Sequence, residues 1–175
     1  MVLLAFLIMS GKHLIESPTK ADGAALWRIA RDSQKLDVNS PYAYLLWCHD
    51  FADSSVVARA DGRAVGFVIA YRKPSAPDAA LVWQVAVDAS QRGKGLAGAL
   101  LDELFTKLVD QGVRYLETTI TPDNDASIRL FGSFAKRWNT ALEKAELFGV
   151  ADFPDDGEGA HEPEDLYRIG PLQRQ

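Results

Sequence analysis

One cysteine in 175 residues, Cys48, excludes an intrachain disulfide and with it the cross-linked scaffold of small oxidised domains. Cys48 sits in an apolar run with Tyr44, Leu45, Leu46 and Trp47, so it reads as a buried, inert thiol rather than a nucleophile. The three histidines, His13, His49 and His161, are too dispersed for a metal site, and no cysteine or acidic cluster completes one, so no metal is expected. Lysine and arginine total 19 against 24 acidic residues, a net charge of −5, and they form no basic stripe. That distribution excludes nucleic acid as a partner. There is no repeat, low-complexity tract or interdomain linker. No apolar run is long enough to span a bilayer. The most apolar stretch, Met1 to Met9, lacks a basic leader and is followed by Lys12 and His13, unlike a signal core. Residues 1–13 therefore read as a disordered or docked N-terminal extension, residues 14–175 as a single domain, and the cytoplasm as its place of work.

Apolar residues make up 47% of the chain and charged residues 25%, which suits one α/β domain with a core of its own. Leu14–Ser17 reads as a short strand. Thr19 with Asp22 signals a helix start, and Leu26, Ile29 and Ala30 then recur at helical spacing. After a polar loop from Asp32 to Asn39, Ser40 caps and Pro41 opens a second helix, with Tyr44, Leu45 and Cys48 expected on one face. Strands over Val56–Ala60 and Ala64–Tyr71 flank Asp61-Gly62, a hairpin signal. Pro74 and Pro77 mark a loop before a strand over Leu81–Val87. Leu96, Leu100, Leu101, Leu104, Phe105 and Leu108 trace one face of a long helix that Gly112 ends. A strand over Val113–Ile120, a helix from Asn124 to Lys136, and strands over Lys144–Phe148 and Asp165–Ile169, parted by the acidic loop Asp152–Glu164, complete the order. The expected architecture is mixed α/β, or α+β.

The most informative segment runs Val82-Trp83-Gln84-Val85-Ala86-Val87, then Asp88-Ala89-Ser90, then Gln91-Arg92-Gly93-Lys94-Gly95-Leu96-Ala97. It goes from strand through a tight turn into a helix. Small residues leave peptide N–H groups unobstructed at a helix N-terminus, where free donors and the helix dipole favour a diphosphate. No Ser or Thr follows Lys94 to hold Mg²⁺, which disfavours a P-loop. No third glycine completes the dinucleotide fingerprint.

Arg92-Gly93-Lys94-Gly95-Leu96-Ala97 after such a strand resembles the pyrophosphate-binding motif of the GCN5-related N-acetyltransferase superfamily. That resemblance implies a mostly antiparallel central sheet with flanking helices and a splayed strand pair at an acetyl-CoA site. It implies that Val85 and Val87 bond the pantetheine arm through their main chain, and that Gln91, Arg92, Gly93, Lys94, Gly95, Leu96 and Ala97 hold the phosphates. Asn124-Asp125-Ala126-Ser127, with Leu130-Phe131-Gly132-Ser133-Phe134, resembles the helix that lies beside the cofactor, with Asn124 touching it. Where many members carry a tyrosine able to protonate the leaving thiolate, this chain has Phe131, whose ring has no proton to give.

Several stretches are similar to the diaminobutyrate acetyltransferase family of ectoine biosynthesis. They are Leu36-Asp37-Val38-Asn39-Ser40 with Tyr42, His49-Asp50-Phe51-Ala52-Asp53, the Trp83 strand, Glu117-Thr118-Thr119-Ile120-Thr121-Pro122-Asp123-Asn124, and the tail His161-Glu162 with Leu166-Tyr167-Arg168-Ile169. The similarity runs from Pro18 to Gly170. It implies acetylation of the side-chain amine of L-2,4-diaminobutyrate by a homodimer. Two ammonium groups and one carboxylate on such a substrate call for acidic partners. Asp37 and Glu162 are the candidates, with Trp83 as an apolar or cation–π wall and Tyr42, Asn39 and Thr118 as neutral hydrogen-bonding groups. Candidate bases are Glu162, Asp37 and Glu117, directly or through water; the oxyanion would meet the Val85 N–H. His161 is a further group that would face the pocket. Another small amine as substrate, or an acyl-CoA-binding domain without turnover, are the alternatives.

Overall fold

The computed structural model describes residues 8–10, 13–154 and 161–174. By their internal contacts the residues divide into two units, Met1–Tyr71 with Val82–Leu108, and Arg72–Leu81 with Val109–Gln175. Together they carry a mixed α/β set of elements. One strand, Ala76–Val87, contributes its first half to the second unit and its second half to the first.

The first unit begins with β1 (Ile8–Ser10) antiparallel to β2 (His13–Glu16), so the described part of the expected N-terminal extension is docked as a strand. Residues 1–7 and 11–12 of that extension lie outside the described residues. Thr19 and Asp22 form a capping box on a single 3₁₀ turn, Lys20–Asp22, which leads into α1 (Gly23–Ser33). Gln34 then leaves the helix in the left-handed region. Ser40 caps α2 (Pro41–Asp50), its hydroxyl accepting from the Ala43 N–H at 3.4 Å. Of the three residues expected on one face of α2, Tyr44 and Cys48 are buried but Leu45 is exposed. A step of one residue turns a helix by about 100°, so Leu45 is carried off the 44/48 face, and it lies over Gly23 instead.

Strands β3 (Val56–Ala60) and β4 (Arg63–Lys73) meet at a turn in which Asp61 (φ 48°) and Gly62 (φ 75°) are both left-handed. That is the conformation a two-residue hairpin demands. Pro77, expected in a loop, is inside β5 (Ala76–Val87), because β4 and β5 are longer than the hydrophobic pattern suggested and only Pro74 and Ser75 form the turn. The Pro77 carbonyl takes two bonds from the Arg72 guanidinium, 2.8 and 3.1 Å. Along the β5 half in this unit, Val82, Gln84 and Ala86 are buried while Trp83 is exposed, the period-two alternation of a strand. Helix α3 (Leu96–Asp110) buries all six leucine and phenylalanine positions expected of it. Leu26, Ile29, Tyr44, Cys48, Val57, Phe67, Ile69 and Ala86 form one apolar cluster.

The second unit holds the first half of β5, then β6 (Tyr115–Ile120), α4 (Asp125–Arg137), β7 (Ala141–Phe148) and β8 (Glu164–Gly170). β6 runs parallel to β5 over three positions, from Ala79↔Tyr115 to Leu81↔Glu117, and antiparallel to β8 over five. Of the expected acidic loop, residues 155–160 are outside the described residues. At its stem Phe153 stacks on the His161 ring, centroids 3.7 Å apart.

Backbone crowding beside β6 generates a prediction. A Cβ at Gly170 would lie 2.6 Å from the Arg114 carbonyl oxygen and closer still to Tyr115 Cδ1. The Tyr115 ring is itself pinned by the Arg168 guanidinium 3.9 Å from its centroid. Gly170→Ala is therefore expected to lower stability by about 1–3 kcal/mol in denaturant melts.

Candidate active site

The turn between β5 and α3 carries its chemistry in its backbone. Gly93 (φ 72°) and Gly95 (φ 78°) are left-handed, and open space surrounds both, so the torsion rather than crowding requires glycine. Within the turn the Gln91 N–H bonds the Asp88 carbonyl and the Arg92 N–H bonds that of Ala89; further on, Ala99 bonds Gly95. Beyond these bonds, the turn delivers the N–H groups from Gly93 to Ala97 to the N-terminal edge of α3, where a helix leaves its first donors without intrahelical acceptors. Peptide donors gathered at the positive end of a 15-residue helix make a seat for a diphosphate. The residues present therefore fit the coenzyme that the motif implied.

The basic side chains of the turn are exposed and fold back onto its own backbone. Arg92 Nε donates to the Val87 carbonyl at 3.3 Å, and Lys94 Nζ donates to the Ser90 carbonyl at 2.7 Å and to Gln91 Oε1 at 3.3 Å. They brace the turn, and their charge adds to the field over it. Gln91 Oε1 also lies 3.2 Å from His13 Nε2 of β2. Two further anchors were missed from sequence. Arg28 of α1 grips both oxygens of Asp88, at 2.9 and 3.3 Å, and the Ala64 carbonyl at 3.2 Å, while the Asp88 N–H bonds Val65 at 2.8 Å. The anchor borders a cleft of about 270 Å³ lined by Arg28, Ile29, Asp32, Asp88, Ala89, Ser90 and Arg92. A separation of 60 residues between Arg28 and Asp88 left no local pattern to read.

The first unit also holds Asp37 and Asn39, in the loop after α1, Tyr42 in the first turn of α2, and Trp83, Val85 and Val87 on β5. Asp37, Tyr42 and Trp83 are exposed, the last two by 66% and 52%, whereas Asn39, Val85 and Val87 are half-buried. Trp83 stacks on Trp47, which in turn packs on Phe51 and Tyr71. An indole open on one side and backed by aromatic rings is a wall for an apolar or cationic chain. Cys48 is buried, and burial pushes its thiol up to about 12.

The second unit holds Thr118, Asn124, Phe131 and Glu162. Thr118 is buried on β6, Phe131 is buried on α4, and Glu162 is exposed just ahead of β8. Asn124 caps α4, its Oδ1 accepting from the Ser127 N–H at 3.0 Å. His161 holds its stack on Phe153, its Nδ1 2.6 Å from the Glu162 carbonyl oxygen. Glu117 is 1% exposed, and its oxygens are taken up by Lys73 and by Arg168. A buried carboxylate with a cation on each oxygen is a structural ion-pair cluster. Among the described residues no group of His, Cys, Asp and Glu is arranged to hold a metal ion.

A strand, an amide-lined turn and a helix in this sequence define an acyl-CoA-dependent transferase, and the sequence profile of the Acetyltransferase (GNAT) family matches residues 24–135. The chain belongs to that family. A Streptomyces coelicolor protein named L-2,4-diaminobutyric acid acetyltransferase is 58% identical over 160 residues, 90% of this chain and 92% of that protein. A protein of the same name from Halomonas elongata is 45% identical over 160 residues, 91% of this chain and 81% of its own. The solved structure of diaminobutyrate acetyltransferase EctA from Paenibacillus lautus, in complex with its substrate L-2,4-diaminobutyric acid and coenzyme A, matches with a TM-score of 0.86 at 39% identity. The match covers 93% of this chain and 97% of that one.

Replacing Gly95 by alanine forces a side chain into the left-handed region at a cost of about 1–2 kcal/mol. The free turn relaxes to relieve that cost and must return to it to seat the ligand, so coenzyme A binding weakens about tenfold by calorimetry, with the fold intact by circular dichroism. The high thiol pKa makes a second expectation. Cys48 should resist a disulfide reagent at pH 8 in the native protein and react at once in denaturant, and Cys48→Ala should keep full turnover.

Proposed function

We propose that the protein transfers the acetyl group of acetyl-CoA to the side-chain amine of L-2,4-diaminobutyrate, giving N4-acetyl-L-2,4-diaminobutyrate for ectoine synthesis in the cytoplasm. The observation that carries this reading is the glycine-bent turn that gathers the peptide N–H groups from Gly93 to Ala97 at the N-terminus of α3. Relatives bearing that activity in their names match nearly the whole chain.

The chemistry needs a neutral amine. An alkylammonium has a pKa near 10, so about one molecule in a thousand is ready at neutral pH. Asp37 and Glu162 are exposed carboxylates suited to hold the two ammonium groups, and one of them, directly or through water, takes the proton. Tyr42, Asn39 and Thr118 orient the substrate, and Trp83 screens its methylenes from water. The amine attacks the thioester carbonyl directly, and the Val85 N–H meets the oxyanion that forms. Phe131 has no proton for the departing thiolate, which leaves unassisted and is protonated by water. In this reading residues 14–175 act as one acetyltransferase domain preceded by the extension 1–13, and two copies form a homodimer.

The test is thiol release with acetyl-CoA and L-2,4-diaminobutyrate, against ornithine and lysine, with product mass by spectrometry. We expect acetylation of diaminobutyrate far above both controls. Equal rates on all three would leave an amine acetyltransferase of different substrate, and no release with any amine would leave an acyl-CoA-binding domain, the reading that Phe131 favours. Asp37→Asn and Glu162→Gln are each expected to cost at least tenfold in kcat/KM, about 1.4 kcal/mol.

A further inference from the structure

β5 carries a glutamine where its alternation calls for an apolar side chain. Trp83 faces outward, and Gln84 faces the interior with 7% exposure, between buried Val82 and Ala86. An amide buried in such surroundings is costly unless each polar atom is paired, and a leucine of similar size would fill the space without that requirement. Both polar atoms of the Gln84 side chain have a partner. Its Oε1 accepts from the Tyr44 hydroxyl at 2.9 Å, and its Nε2 donates to the main-chain carbonyl of Asp37 at 2.8 Å.

Tyr44 completes the arrangement. Its ring is wholly buried on α2 and set edge-on to Phe67, 6.3 Å between centroids. Burial pushes the phenol up from its ordinary value, against the pull of the main-chain and side-chain amides of Asn39 that face its oxygen. The hydroxyl donates to Gln84, whose own amide reaches the Asp37 main chain, and Asn39 acts on the same oxygen. One pair of core residues therefore reaches both Asp37 and Asn39. Elsewhere that loop is lightly tied: Leu36 packs on the core, and Asp37 and Val38 are exposed.

We propose that Gln84, backed by Tyr44, is the positioning residue that fixes the segment Asp37–Asn39 and so sets which diamine the protein accepts. The proposal rests on the reading of Asp37 and Asn39 as substrate-facing groups. A carboxylate meant to choose between ammonium groups separated by two methylenes and by three must stand at a fixed distance, and an exposed loop does not hold one unaided. A hydrogen bond to the Asp37 main chain leaves its carboxylate free for substrate. The polar pair on the interior side of β5 and the indole on its outer side occupy consecutive residues, so the strand that supplies the wall also sets the loop.

The test uses the full chain with Tyr44→Phe, which removes one oxygen and keeps the ring, Gln84→Met, which keeps the volume, and the double variant. We expect KM for diaminobutyrate to rise at least tenfold in each single variant and the preference for diaminobutyrate over ornithine to fall at least fivefold. The Kd for acetyl-CoA should stay within twofold, and the double variant should be no worse than the poorer single. If the folded single variants keep the wild-type KM and preference, if acetyl-CoA affinity falls as much as KM rises, or if the two effects multiply, the proposal is overturned. Should the wild-type protein not turn over diaminobutyrate at all, the substrate reading fails by itself. The latch is then read by hydrogen exchange, where the amides of residues 36–39 must exchange at least tenfold faster in Tyr44→Phe; unchanged protection overturns it.

Discussion

The peptide N–H groups gathered at the start of α3, where a helix leaves its first donors without intrahelical acceptors, are the feature on which the rest of the first unit is organised. Donors left open in this way are a standing cost, met by water when the seat is empty and recovered by an anion when it is filled. Two left-handed glycines make the geometry accessible. They do not hold it, because glycine is also the most freely moving residue. The holding comes from side chains and from packing. Arg28 secures Asp88 at its start, Lys94 and Arg92 close its basic side chains onto its own carbonyls, and α3 buries six large apolar residues behind it. A seat fixed before the ligand arrives spends little of the binding energy on ordering.

Buried polarity recurs wherever this protein needs a defined position rather than mere stability. Glu117 sits between Lys73 and Arg168 in the second unit. Arg59 joins Glu16 and buried Asp22 in the first, and that same aspartate closes the capping box with Thr19. Gln84 and Tyr44 are the neutral version of the device. Every such group is satisfied, and no buried side-chain nitrogen or oxygen among the described residues lacks a partner. A polar core of this kind adds little net stability over apolar packing, yet it tolerates few alternative arrangements.

What could be read from sequence follows from how far apart the interacting residues lie. The Asp61-Gly62 hairpin, the Ser40-Pro41 helix start, the α3 stripe and the glycine turn are all signals within a few residues, and each was found in place. Errors arose where a local rule met a longer-range one. Leu45 was assigned to the buried face of α2 by its apolarity, although one residue's step turns it away. Pro77 suggested a loop, whereas it opens an extended strand whose neighbour uses its carbonyl. Arg92 and Lys94, expected at the phosphates, also bond the carbonyls around their own turn. Arg28–Asp88 and Tyr44–Gln84 span 60 and 40 residues, and no periodicity reports such pairs. Glu117 stood out by its setting among threonines, but only the fold revealed the two cations that occupy it.

The most direct measurement compares coenzyme A with S-acetylpantetheine, which has the thioester and the pantetheine arm but lacks the nucleotide diphosphate, by calorimetric titration of the full-length protein. If the open amides ahead of α3 are the seat, removal of the diphosphate forfeits at least two charge-assisted hydrogen bonds of about 1.5 kcal/mol each. Affinity should then fall by roughly a hundredfold or more. Equal affinity for the two compounds would contradict the account, because the turn from Gly93 to Ala97 would then hold nothing.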